Sequence, residues 1–108
     1  MPMRRVVMTR SAEADLDTNY LWWAKNRSAE QAGRWYGSML LAINSLANNA
    51  DRYPRAEESD IYGRDIREMA HGLGSRPTHR VLFMVEGSIV TILRVRHVSQ
   101  RTLSEDQF

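Results

Sequence analysis

The sequence predicts an α+β fold in the order β-α-α-β-β-β, with a twisted antiparallel sheet packed on an N-terminal helical hairpin. Three observations carry this. Apolar residues recur at helical spacing from Ala12 to Ala47. That period vanishes after Pro54, and the second half instead holds two Val-, Leu- and Ile-rich runs joined at Glu86-Gly87. Grouped helices followed by a run of strands mark an α+β layer pattern, not alternating parallel units. With 108 residues, 43% of them apolar and 26% charged, the chain is expected to form one domain over residues 1–108 around a single core.

Taken in order, Arg4 to Thr9 ("RRVVMT") is a short Val- and Met-rich strand ended by polar residues. Ser11 is the expected N-cap of a first helix, with Glu13 and Asp15 in the turn where the helix dipole favours acids. Ala12, Leu16, Tyr20, Trp23 and Ala24 carry that helix to about Lys25. Ser28 to Gln31 is a capping box, and Ala32, Trp35, Tyr36, Met39, Ile43, Leu46 and Ala47 form the stripe of a longer second helix over about 28–48. Pro54 pushes Tyr53 out of helical space and ends it. So short a link makes the two helices antiparallel neighbours. "AEESDIYGRD" is a polar connection without periodicity, Asp65 to Ala70 a weaker strand, and "HGLGSRPT" a loop. His79 to Val85 and Ile89 to His97 are the strong strands, with Glu86-Gly87 as a two-residue turn in which Gly supplies positive φ.

Composition removes several functions. There is no Cys, which excludes disulfides, thiolate nucleophiles and Cys-based zinc sites. No leader-like segment and no membrane-spanning apolar run is present, so a cytoplasmic protein without a membrane partner is expected. No cofactor or metal is expected either, because His71, His79 and His97 lack ligand spacing and an adjacent carboxylate. Fourteen of the 15 basic residues are Arg. Up to Tyr62 charge cancels, eight basic against eight acidic, but from Gly63 to Arg101 there are seven Arg against three acids. Arg suits phosphate and carboxylate forks, so the strand half is expected to meet an acidic or polyanionic partner. A GC-rich genome would account for the total, though less well for the clustering.

The hairpin "HRVLFMVEGSIVTILRVRH" concentrates the candidates. With Glu86-Gly87 as the turn, Arg80 opposes Leu93 and shares a face and an end with His97. With a three-residue loop, Arg80 instead faces Arg94 and Arg96. Neighbouring guanidinium groups would hold the His97 imidazole neutral as a general acid or base, and an arginine beside it could steady charge on a phosphate. Taken singly, each residue is equally a solvated hairpin end. "HGLGSRP" lacks the Gly-Lys-Ser/Thr ending of a phosphate loop and leads into a strand. Trp23, Trp35 and Tyr36 read as core, whereas Trp22, one position off the stripe, is an interface candidate. Nothing arranges Ser, His and Asp as a nucleophilic triad.

"AEADL", "SLANNADRYP", "IREM", "HRVLFMVEG" and "TILRVRHVSQR" occur in an order that resembles the RelE/ParE toxin superfamily of bacterial type II toxin–antitoxin systems, from Val6 to Arg101. The resemblance implies a small ParE-like toxin of the plasmid-stabilisation type, inhibiting growth and neutralised by a cognate antitoxin. Its two branches imply different targets: DNA gyrase for ParE-like members, ribosome-bound mRNA for RelE-like endonucleases. By position, Arg80, His97 and Arg101 are the catalytic candidates of the endonuclease alternative. RelE-like cleavage uses lysines and a late tyrosine, but this chain has only Lys25 and no Tyr after Tyr62. ParE-like gyrase poisoning is therefore the preferred expectation; a member that only binds antitoxin is the remaining one. Arg64, Arg67, Arg94, Arg96 and Trp22 are the expected partner-binding residues.

Overall fold

A computed structural model describes residues 3–100. Strand β1 (Arg5–Met8) leads into helices α1 (Arg10–Asn26) and α2 (Ala29–Asn49). A 3-10 turn at Ala50–Arg52 and a five-residue helix, α3 (Glu58–Tyr62), precede β2 (Ile66–His71), β3 (His79–Glu86) and β4 (Ile89–His97). The four strands form one sheet in the order β1-β4-β3-β2. This is the expected α+β architecture, with the helical hairpin on one face. No helix among the described residues is long and apolar enough to cross a membrane.

The core follows the helical stripes. Ala12 and Leu16 of α1 and Trp35, Met39, Ile43 and Leu46 of α2 pack on Val81, Phe83, Val90, Ile92 and Val95. The opposite face carries a second cluster of Ile66, Leu82, Met84 and Leu93, covered by Ala56 and Tyr62. That cover is a strap over residues 54–65, hydrogen-bonded beside β2 through Ala56 N to Ile66 O (2.7 Å) and Glu68 N to Pro54 O (3.0 Å). The Ser59 hydroxyl fastens it, donating to Arg64 O and accepting from Ile66 N at 2.9 Å. The sequence showed only a polar connection here, because five residues are too few to display a helical period.

Three details depart from expectation. Thr9, not Ser11, caps α1: its side chain accepts from Ala12 N at 3.1 Å and donates to Leu93 O at 2.9 Å. Ser28 caps α2 as expected, accepting from Gln31 N at 3.0 Å. The sheet is antiparallel across β2-β3-β4, but β1 joins β4 in parallel. The cause is the helical hairpin, which returns the chain to the end of the sheet where it began, bringing Ala47 O to Arg4 N (2.9 Å). From there β2 runs with β1, β3 runs against it, and β4 must again run with it.

The third departure is the hairpin register. Glu86 pairs with Ile89, so Gly87 and Ser88 are the turn residues, one position later than expected. Gly87 takes the left-handed φ of 59° at the first central position, the place a II′ turn reserves for glycine. A β-bulge then shifts the ladder: Phe83 pairs with Ile92 but Leu82 with Arg94, which leaves Leu93 as the extra residue. Beyond it Arg80 faces Arg96, not Leu93, and His79 faces His97.

Candidate functional site

The register places His71, His79 and His97 on one rung across three strands. Two of the rings tie the sheet to a helix, and the third, His97, bonds within the turn that follows its own strand. His71 Nε2 lies 2.8 Å from Ser38 Oγ on α2. His79 Nε2 lies 2.9 Å from Asn19 Oδ1 on α1, and its Nδ1 lies 2.8 Å from Thr78 Oγ1. An accepting Asn19 oxygen puts the proton on Nε2, so Nδ1 accepts from the Thr78 hydroxyl, and the neutral imidazole is fully used. His97 Nδ1 accepts from Ser99 N at 3.1 Å. Burial pushes the His79 pKa down to about 4, helped by His97 and His71, and burial also lowers His71. The His79 ring packs 5.0 Å from Trp35 and 5.3 Å, edge-on, from His97.

Above this rung opens a cleft of about 540 Å³ between α1 and the end of the sheet. Trp22, Trp23, Asn19, Arg27, His79 and His97 contribute to its walls. Trp22 is 50% exposed and meets Trp23 edge-on at 5.6 Å, which agrees with its place one position off the buried stripe. Among the described residues no group of three or more His, Cys, Asp or Glu is arranged to hold a metal ion.

Arginines crowd the other side of the hairpin. Arg80 is not beside His97: successive strand residues alternate faces, and Arg80 shares its rung with Arg96. The register expected from a Glu86-Gly87 turn, which put Arg80 and His97 on one face, is thereby corrected. The Arg80 fork takes both carboxylate oxygens of Glu58, with Nη1 to Oε1 at 2.9 Å, and Glu68 lies 3.8 Å away. The Glu58 side chain is fully buried and that of Arg80 is 12% exposed. This hydrogen-bonded pairing raises the Arg80 pKa. Arg96, almost buried, moves down through burial and then through the charges of Arg94 and Arg80.

Arg94 binds Asp15 of α1 through Nε (2.6 Å) and Nη2 (2.9 Å), and Asp15 Oδ2 also accepts from Val95 N at 2.9 Å. β1 stops pairing at Ile92, so Asp15 satisfies an edge amide of β4 that a longer first strand would have reached. Arg67 donates to the backbone oxygens of Tyr53 (2.8 Å) and Asp51 (3.3 Å), which anchors the strap. Arg64 is exposed and sits 5.8 Å over the Tyr62 ring. Arg101 lies outside the described residues.

Arg80 and Arg96 thus share a rung on the strap face, Arg94 reaches Asp15 in the wall of the cleft, and His97 and Trp22 line that cleft, with the sheet between them and Arg80. Asn19 and Glu58 escaped sequence reasoning, which placed Asp15 only in the first helical turn and weighed His79 only as a metal ligand. Asp15 had left a signal: it lies three positions after Ala12 and beside Leu16, on the buried stripe, where an acid needs a cation. Glu58 left none.

The sequence matches the family model for the ParE toxin of the type II toxin–antitoxin system parDE over residues 6–102. No curated protein matches it. Among solved structures it is similar to the chromosomal ParDE toxin–antitoxin system from P. aeruginosa, with a TM-score of 0.71 and 25% identity, covering 90% of this chain and 98% of that one. A match across nearly the whole chain, on the fold described above, means that this protein belongs to the ParE toxin family.

Proposed function

We propose that this chain is a growth-inhibiting cytoplasmic toxin that poisons DNA gyrase through surface contacts and is neutralised by a cognate antitoxin. The observation that supports non-catalytic action is the separation of Arg80 from His97: the pair needed for phosphodiester cleavage does not share a face, and the Arg80 fork is filled by Glu58. A surface-acting toxin needs no such pair, because binding energy is spread over a patch with a few hot spots. Family membership supports the same reading. Trp22 and Arg64 are the exposed members of the partner-binding set, and an antitoxin segment with apolar anchors and acidic residues would engage them first.

The test is growth arrest on induction of wild type, His97→Ala and Trp22→Ala, with supercoiling and mRNA integrity assayed in parallel. The expected result is inhibited supercoiling, intact mRNA and a tolerated His97→Ala. An essential general acid or base carries about 10²–10⁴-fold in rate, so cleaved mRNA with an inert His97→Ala variant would establish the endonuclease instead. Co-expression with the adjacent gene product should restore growth and give a stable complex that Trp22→Ala weakens.

A further inference from the structure

We propose that Glu58 is an internal stand-in for a phosphate group, and that the strap over residues 54–65 is the removable cover of an anion site built on Arg80 and Arg96. Two arginines directly opposite each other in a ladder repel, and this pair is largely withdrawn from water. Such a rung requires an oxyanion. Glu58 supplies one by giving each carboxylate oxygen to one terminal nitrogen of the Arg80 guanidinium. The same planar fork grips two oxygens of a phosphate group. Arg94 lies two positions from Arg96 on β4, and its charge acts on Arg96, offset in part by that of its partner Asp15.

The carrier of Glu58 is suited to exchange. α3 has five residues, well below the length at which a helix holds itself together, so tertiary contacts alone keep it in place. Those contacts include the Glu58–Arg80 fork, the Ser59 hydroxyl, the Arg67 bonds at the start of the strap, the two backbone bonds beside β2, and the packing of Ala56 and Tyr62. Pro54 begins the strap, and Gly63, with a φ of 74°, ends α3 in a conformation other residues rarely adopt. In the closed conformer the carboxylate competes with any incoming phosphate, and apparent affinity is reduced by the fraction of molecules that are open. Opening frees the Arg80 fork, with Arg96 directly opposite it on the same rung.

Glu58→Gln keeps the shape of the plug and removes its charge. By titration calorimetry, pyrophosphate should bind Glu58→Gln about tenfold or more tightly than wild type. Adding Arg80→Gln should abolish the gain. A short single-stranded oligonucleotide is run alongside: tighter binding than pyrophosphate identifies a polymer backbone as the ligand, and equal binding a free phosphate compound. In wild type, millimolar pyrophosphate should accelerate hydrogen exchange at the amides of Ser59 and Gly63 within the strap, and of Ile66, which the strap's Ser59 hydroxyl holds. A natively folded Glu58→Gln with no gain for either ligand overturns the proposal. Should that variant fail to fold, unchanged exchange in wild type overturns it equally.

Discussion

Lowering the pH should destabilise this protein through His79 before its carboxylates are involved. The ring is 2% exposed, and burial, His97 and His71 together bring its pKa to about 4 from an ordinary 6.5. Below pH 6.5 the unfolded chain takes a proton at this position while the folded chain refuses it. The stability contributed by the neutral ring is therefore complete above pH 6.5 and is lost as pH falls toward 4. Linkage gives a slope approaching 1.4 kcal/mol per pH unit in that window, with a loss of roughly 1.4 kcal/mol by pH 5.5 and about 3 kcal/mol by pH 4. The assay is urea unfolding followed by tryptophan fluorescence from pH 8 to 5, on wild type and on His79→Gln. Glutamine retains a donor for Asn19 but cannot titrate, so its slope should be shallower by most of one proton. Equal slopes for the two proteins, or an NMR titration placing His79 near 6.5, would refute the reasoning.

Asp15→Ala should cost roughly 2–3 kcal/mol, because it removes the carboxylate that takes two bonds from a partly buried Arg94 and leaves an edge amide of β4 unsatisfied; denaturant midpoints should fall with unchanged slope. A double-mutant cycle with Arg94→Ala should recover a clear coupling energy, and strict additivity would contradict the pairing. Gly87→Ala should lose about 1–2 kcal/mol in a thermal or urea melt, since alanine resists the left-handed φ of 59° that the turn uses.

The helical hairpin was legible because its signals are local. Ala32, Trp35, Met39, Ile43 and Leu46 repeat at the period of one helix, and all are buried. Ser28 caps its own helix within three residues. What failed to show was set by distance in the chain. Thr9 caps α1 in place of Ser11 because the Thr9 hydroxyl also reaches Leu93, a contact no local pattern reveals. The turn moved by one residue because Gly87 takes the first central position, where a II′ turn needs a positive φ, and not the second position of an I′ turn, which would demand a positive φ of Glu86 as well. The bulge at Leu93 then decided which side chains meet. The turn shift took Arg80 from the expected Leu93 to Val95, and the single extra residue then set it opposite Arg96. Glu58 was invisible for a different reason, since a partner in a non-periodic connection carries no spacing relative to the arginine it binds.

The parallel pairing of β1 with β4 also governs when the protein can exist during its own synthesis. Thr9 donates to Leu93, 84 positions later, and Arg5 to Met8 find their ladder only on Ile89 to Ile92. At about 5–20 residues per second, a ribosome needs roughly 4–17 s to make the intervening chain. Throughout that interval the helices have nowhere to bury Trp35 and Met39, since the strands they pack on come last. An interrupted message would therefore yield an unfolded fragment and not a partly active one. A ParE-family chain with this topology completes its fold abruptly, at the arrival of its fourth strand.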